Sequence, residues 1–142
     1  MLLIIGIFSY KFTVGEVEKS DDGRVSVLLS KDERNALLTE MRTWLETTQA
    51  ILTAASADNF EEVAIVATKS GMGAEASTPG SLFRKLPVDM KALGFDTRKR
   101  FDDIAADALK YKDSKRTVAQ VAEAMNNCIG CHASYRFPEA LQ

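Results

Sequence analysis

The chain has 142 residues, a formal net charge of -2 and two cysteines. A single domain of this length buries roughly two-thirds of its unfolded surface without needing a disulfide. Its content of 46% apolar and 27% charged residues is ordinary for a globular protein. It has 18 basic and 20 acidic residues and no dense basic tract, so we expect no nucleic-acid partner.

The first 29 residues are predicted to be an extension of the main domain, residues 30–142. They begin with seven apolar residues, Leu2 to Phe8, far fewer than the roughly 20 that span a bilayer. No Lys or Arg precedes this run and no small-residue cleavage site follows it, so it reads as a truncated signal or anchor. Alternatively, the segments "FTVGEV" and "RVSVLL" form a hairpin around Asp22-Gly23, a strong turn signal.

Helical patterning begins after Leu29. Ser30 and Glu33 have the spacing of a capping box, which predicts a long first helix from about Lys31 to Ala57. Apolar residues recur along it at steps of three and four, the pattern of one core-facing stripe. A second cap signature at residues 58–61 predicts a second helix that ends near Gly71, antiparallel to the first.

The remaining segments predict two further long helices. Residues 70–86 are rich in glycine and serine and read as a long connection. Pro87 starts a short helix that Gly94 is expected to end, and Asp96 or Thr97 then caps the third long helix. The fourth opens at Ser114 or Thr117, and Pro138 ends it.

The inner side of the third helix is predicted to carry Phe101, Ile104, Ala105, Ala108 and Leu109. That of the fourth is predicted to carry Val118, Val121, Ala122, Met125 and Ile129. The fold class predicted from these patterns is all-α: an antiparallel four-helix bundle whose C-terminal helix carries the motif described next.

Both cysteines and the single histidine lie in the final segment "CIGCHASYR". On a helix, Cys128, Cys131 and His132 fall within about 100° of one face. C-x-x-C-H is the attachment pattern of c-type haem, in which both thiols bind one porphyrin and the histidine faces its iron.

Other uses of these residues are weaker. A structural zinc site takes four Cys or His ligands, and the chain has three such residues. A redox Cys-x-x-Cys sits at the start of a helix that follows a strand, whereas this pair comes late in a helix. Two buried cysteines beside a core histidine would make their clustering a coincidence.

With this motif at the end of its last helix, the chain resembles cytochrome c′ and its low-spin relatives, the class II c-type cytochromes. The resemblance covers residues 30–136. It implies one haem c bound covalently through Cys128 and Cys131, with His132 as the proximal iron ligand. It also implies export to the periplasm, with an N-terminal tether if the apolar run is retained, and homodimers that pair through the first two helices.

The resemblance leaves two candidates for the sixth iron position. In low-spin members a methionine of the first helix binds there, and Met41 stands at the corresponding distance from Ala57. Aligning Arg34 with the arginine near the start of that helix in cytochrome c′ instead places Leu38 over the iron. The two registers differ by nearly one turn. We favour Met41, with Met72 as the next candidate ligand, although core packing is the ordinary role of such a methionine.

A methionine ligand implies a carrier of single electrons between redox partner proteins, which is not an enzyme. An open position implies a high-spin cytochrome c′ that binds small gases such as NO or CO. Trp44 and Phe101 are expected to pack against the porphyrin or the core. Arg136 matches the arginine that follows the motif in the family, which implies a place over the haem or beside a propionate. Otherwise Arg136 and Tyr135 are ordinary residues at a helix end.

Overall fold

The computed structural model describes residue 10 and residues 12–77 and 79–139. This part of the chain is mostly helical, with a small three-stranded sheet. The apolar run at residues 2–8 lies outside the described residues. None of the helices within the described ranges has the length and apolar character needed to cross a membrane.

The elements follow one another in this order: β1 (Val17–Lys19), β2 (Val25–Val27), α1 (Lys31–Ser56), α2 (Phe60–Thr68), a 3-10 helix (Met72–Ser77), α3 (Gly80–Lys85), α4 (Val88–Tyr111), α5 (Ser114–Ser134) and β3 (Tyr135–Arg136). α1 packs against α2 and α5, and α4 packs against the same two helices. The motif therefore lies at the C-terminal end of the last helix, α5.

The predicted start of α1 is confirmed. The Ser30 hydroxyl accepts a hydrogen bond from the backbone N–H of Glu33 at 3.3 Å, and the Glu33 carboxylate accepts from the N–H of Ser30 at 2.8 Å. This reciprocal capping box satisfies two N–H groups at the first turn of the helix. α2 starts in a similar way, because the Asn59 side chain accepts from the N–H of Glu62 at 3.1 Å.

The predicted helix end at Gly94 is wrong, because α4 runs without a break from Val88 to Tyr111. Gly94 does not adopt the positive φ of a helix-ending glycine. Burial of Met90 before it and Phe101 after it outweighs the roughly 1 kcal/mol that an interior glycine costs. Asp96 does not cap a helix either: its carboxylate accepts hydrogen bonds from Asn127 and Arg100 at 2.7 and 2.6 Å.

The connection predicted at residues 70–86 contains the 3-10 helix and α3. α3 has structure because its Leu82 is buried, together with Leu86 just after it. α5 begins at Ser114 as predicted, but its N-cap is Asp113, whose carboxylate accepts from the N–H groups of Lys115 and Arg116. It ends at Ser134, before Pro138.

Two clusters of buried residues lie along the helices. The first joins α1, α2, α4 and α5 through residues that include Ile51, Val63, Phe101, Ile104 and Val121. The second joins the sheet to α1, α3 and α4 through Val27, Leu29, Leu37, Leu82, Leu86 and Met90. Because the second cluster contains Val27 and Leu29, the segment before residue 30 packs directly on the helices.

Some residues predicted to face the core are exposed. Ile129 is 64% exposed, and Val118 and Leu109 are also exposed. The predicted burial of Val121 is confirmed, and α5 also buries Thr117 and Ala124. This face is narrow, so residues at its margins, such as Val118, remain in contact with solvent.

A hairpin is present in the described part of residues 1–29. β1 and β2 pair antiparallel, with Val17 opposite Val27, and Gly23 has a φ of 83° in the turn between them. β3 joins the other side of β2 in parallel, with Val25 opposite Tyr135. The residues that follow the motif are therefore attached to the hairpin.

Candidate functional site

A cavity of about 430 Å³ opens between α1, α3, α4 and α5. It lies between the two buried clusters, since its lining includes Phe101 from the first and Leu37, Leu86 and Met90 from the second. Most of the residues that line it are apolar. Its volume is within the roughly 300–1,000 Å³ of ordinary ligand and cofactor sites.

All three motif residues that carry chemistry line this cavity: Cys128, Cys131 and His132. Cys128 and His132 are exposed, and Cys131 is half-buried. Cys131 also packs against the second buried cluster. The alternative of two buried cysteines beside a core histidine is therefore not what the structure contains.

The predicted residues of α1 line the same cavity. Leu38, Met41 and Trp44 face it from successive turns of the helix. Trp44 also packs against the first buried cluster, as its expected role in the core requires. The fold thus brings six of the predicted site residues, three on α1 and three on α5, to one cavity.

Two other predicted residues, Arg136 and Met72, lie elsewhere in the structure, and two further methionines line the cavity. Arg136 is not among the described residues that line the cavity, and its guanidinium instead donates to Ser20 at 3.0 Å and contacts Asp22 at 3.4 Å. Met72 is exposed on the 3-10 helix, and its backbone N–H donates to Asp102. Two further methionines, Met90 and Met125, do line the cavity.

A charged pair in the cavity wall had no local signal in the sequence. Arg98 on α4 forms an ion pair with Glu40 on α1, and its side chain is 4% exposed. Its guanidinium also lies 5.5 Å from the centroid of the Trp44 ring and donates to the carbonyl of Gly71 at 3.4 Å. Burial lowers the pKa of Arg98. The pair links α1 to α4 beside the predicted α1 residues.

Lys91 is a second buried cation at the cavity, also missed from the sequence. Its ammonium donates to the carbonyl of Phe12 at 2.9 Å and lies 3.8 Å from the centroid of the Phe12 ring. The ring of Phe83, which lines the cavity, is 4.9 Å away. Burial lowers the pKa of this lysine.

The environment of the two thiols does not activate them as thiolates. Burial raises the pKa of Cys128, and burial together with the nearby charge of Cys128 raises that of Cys131. Redox and nucleophilic cysteines have lowered pKa values, from a helix N-terminus or an adjacent cation. These thiols lie near the other end of α5.

In the described part of the chain, no group of three or more His, Cys, Asp or Glu side chains is arranged to hold a metal ion. Protein ligands for a four-coordinate zinc are thus not assembled there. Haem iron has a different requirement, because its porphyrin provides four nitrogen ligands and the protein supplies one or two.

Comparison with known proteins adds no relative. No protein-family model matches the chain, and no curated protein or solved structure matches it significantly. The residues of the cavity are therefore what indicates a function for this chain.

Proposed function

We propose that this protein is a class II c-type cytochrome that carries single electrons in the periplasm with one covalently bound haem. In this proposal α1, α2, α4 and α5 form the antiparallel four-helix bundle of that class. The packing of α1 and of α4 against both α2 and α5 supports this arrangement. The observation that carries the proposal is that both thiols and the only imidazole of the chain open into one largely apolar cavity.

Each thiol is proposed to form a thioether with one vinyl group of the porphyrin. The sulfur of Cys128 or Cys131 would bond to one vinyl carbon, and the thiol hydrogen would go to the other vinyl carbon. One C=C and one S–H bond are replaced by C–S and C–H bonds, so the addition consumes no oxidant. Neutral thiols, which the raised pKa values favour, retain the hydrogen that this reaction needs.

His132 is proposed as the proximal ligand of the iron. It directly follows Cys131, so the covalent anchors and the imidazole are held by the same last turns of α5. Bound there, the haem supplies an iron that gains and loses one electron, or that binds a gas at an open position. The apolar lining of the cavity would exclude water from a bound haem and would favour its reduced, less charged state.

Met41 is proposed as the second residue that would bind the iron, which would make the protein an electron carrier for redox partner proteins. It lies on the α1 wall of the cavity, whereas the motif lies on α5. Leu38 lies one turn earlier on the same wall, and this placement supports a second candidate function: a five-coordinate cytochrome c′ that binds NO or CO. Pairing through α1 and α2 is proposed for either function.

Absorption spectra of Met41→Ala and Leu38→Ala test which function applies. For the carrier, we expect a low-spin spectrum in the parent protein and in Leu38→Ala, with no response to CO. Met41→Ala should become high-spin and bind CO. A parent protein that is already high-spin and binds CO would contradict the carrier and support the gas-binding function.

Met90 and Met125 provide matched controls, since both line the cavity without being the proposed ligand. Substitution of either by leucine should leave the low-spin spectrum unchanged. Loss of that spectrum in Met90→Leu alone would move the sixth ligand from α1 to α4.

A further inference from the structure

The last turn of α5 carries His132, and helix ends of this kind fray unless they are held. The final carbonyls of an α-helix have no partner within the helix, and a bound group requires its ligands to be held within about 0.5 Å. The sequence after Ser134 contains no glycine cap. Beyond the hydrogen bond from the Tyr135 N–H to the carbonyl of Cys131, this turn depends on contacts from outside the helix.

Arg24 meets that need from the hairpin. Its guanidinium donates to the backbone carbonyl of His132 at 3.4 Å, one of the carbonyls that the helix leaves unpaired. The positive charge also lies at the negative end of the helix dipole. A contact of this kind acts directly on the residue proposed to bind iron.

Asp22 fixes Arg24 in place. Its carboxylate accepts from Nε and Nη2 of Arg24 at 2.9 and 2.7 Å, and from the Arg24 backbone N–H at 3.1 Å. The same carboxylate lies 3.4 Å from Arg136 Nη1, which follows the motif. Asp22 thus joins Arg24 of the hairpin to Arg136, which follows the end of α5.

The backbone connects the same two regions. β3, which starts directly after Ser134, pairs with β2 over Val25 and Ser26. Arg34 on α1 donates to the carbonyl of Phe137 at 3.3 Å, so the chain beyond β3 is held from a second side. Together these contacts attach the chain directly after α5 to the hairpin and to α1.

We infer that the hairpin Val17–Val27 holds the last turn of α5, with Arg24 and Asp22 as positioning residues for His132. The inference rests on the proposed function insofar as His132 binds iron. It adds a role for the segment before residue 30, which the class II resemblance does not cover.

Backbone hydrogen exchange of the full chain tests the inference without reference to haem. In Arg24→Ala, we expect the amides of residues 132–135 to exchange roughly fivefold faster or more, as loss of one hydrogen bond to a charged group predicts. The amides near Val121 in the middle of α5 should keep their rates. Asp22→Asn should have a smaller effect in the same direction, and it serves if Arg24→Ala fails to fold.

Lys19→Ala is the matched control, because Lys19 is an exposed cation of the same hairpin that forms no ion pair in the described part of the chain. Equal acceleration in Lys19→Ala, or none in Arg24→Ala and Asp22→Asn, would overturn the inference.

In protein that carries haem, electron paramagnetic resonance provides a second readout. The ferric parent protein and Lys19→Ala should each show one axial-ligand geometry, whereas Arg24→Ala should show a broadened or second signal, and Arg24→Lys should partly restore the first. An unaltered signal in Arg24→Ala would contradict positioning of His132. If no haem is bound at all, the proposed function fails, and hydrogen exchange alone then decides whether the hairpin holds the helix end.

Discussion

Glu40 on α1 and Arg98 on α4 form an ion pair in the wall of the cavity, with the Arg98 side chain almost fully buried. Glu40→Gln removes the opposing charge and leaves the guanidinium in a poorly solvated place. Removing one partner of a fully buried pair costs about 3–5 kcal/mol. Since Glu40 is partly exposed and Gly71 also binds Arg98, we expect a loss of about 2 kcal/mol in the free energy of unfolding.

Urea denaturation measures this loss. Glu46→Gln is the matched control, because Glu46 is exposed on the same helix, and it should change the free energy of unfolding by less than about 0.5 kcal/mol. Equal stability of the two variants would show that the Glu40–Arg98 pair contributes nothing.

The lowered pKa of Glu33 predicts that the stability of the protein depends on pH in the acid range. Burial alone would raise its pKa, but hydrogen bonds from Lys85 and Ser30 outweigh burial and hold the pKa below its usual value of 4.5. As pH falls below 4.5, the unfolded chain takes up this proton before the folded protein does. The stability contributed by the ionised carboxylate is therefore complete above that pH and lost as pH falls through the folded pKa.

Lys85→Ala removes the ammonium that lies 2.8 Å from the Glu33 carboxylate. Denaturation between pH 5 and pH 3 should then show a shallower loss of stability than in the parent protein. Lys115→Ala, which removes an exposed cation of α5, should retain the parent slope. Parallel slopes in all three proteins would refute the role assigned to Glu33.

The surroundings of Gly94 and Gly15 predict opposite effects of an added methyl group on the free energy of unfolding. A Cβ at Gly94 meets no atom within 4 Å, so Gly94→Ala should raise the free energy of unfolding by about 0.5–1 kcal/mol. Gly15 has a φ of 77°, and a Cβ there would clash with the carbonyl of Lys85. Gly15→Ala should therefore lower stability by about 2 kcal/mol.

Thermal unfolding of the two alanine variants compares these effects directly. Destabilisation by Gly94→Ala would mean that α4 is interrupted at this glycine, as its sequence alone predicts, and is not the continuous helix of the structure.

Local patterns predicted the parts of the fold that local interactions determine. The capping box of Ser30 and Glu33 and the N-cap signature at residues 58–61 correspond to the starts of α1 and α2. The helix end predicted at Gly94 was wrong because helix propensity contributes little free energy, and packing of α4 on its neighbours outweighs it. The exposure of Ile129 could likewise not be predicted from the sequence, since it depends on where α1 and α4 contact α5.

The residues of the candidate site likewise divide into those that local patterns predicted and those that only long-range contacts bring together. The motif and the apolar stripe of α1 predicted the cavity residues Cys128, Cys131 and His132 on α5 and Leu38, Met41 and Trp44 on α1, but not those on α3. Long-range contacts had no sequence signal: the Glu40–Arg98 pair spans two helices, and Arg24 reaches His132 from the hairpin. Arg136 was placed at the haem by resemblance, but in the structure it contacts Ser20 and Asp22.

The covalent haem is the central claim, and the mass of the denatured chain tests it most directly. The full chain is expressed with export and with the haem-attachment machinery, then unfolded in acid and extracted with organic solvent. We predict that the chain retains the mass of one haem and its absorption, and that Cys128→Ala combined with Cys131→Ala loses both. A parent chain with the mass of the bare polypeptide and no haem absorption would contradict the account.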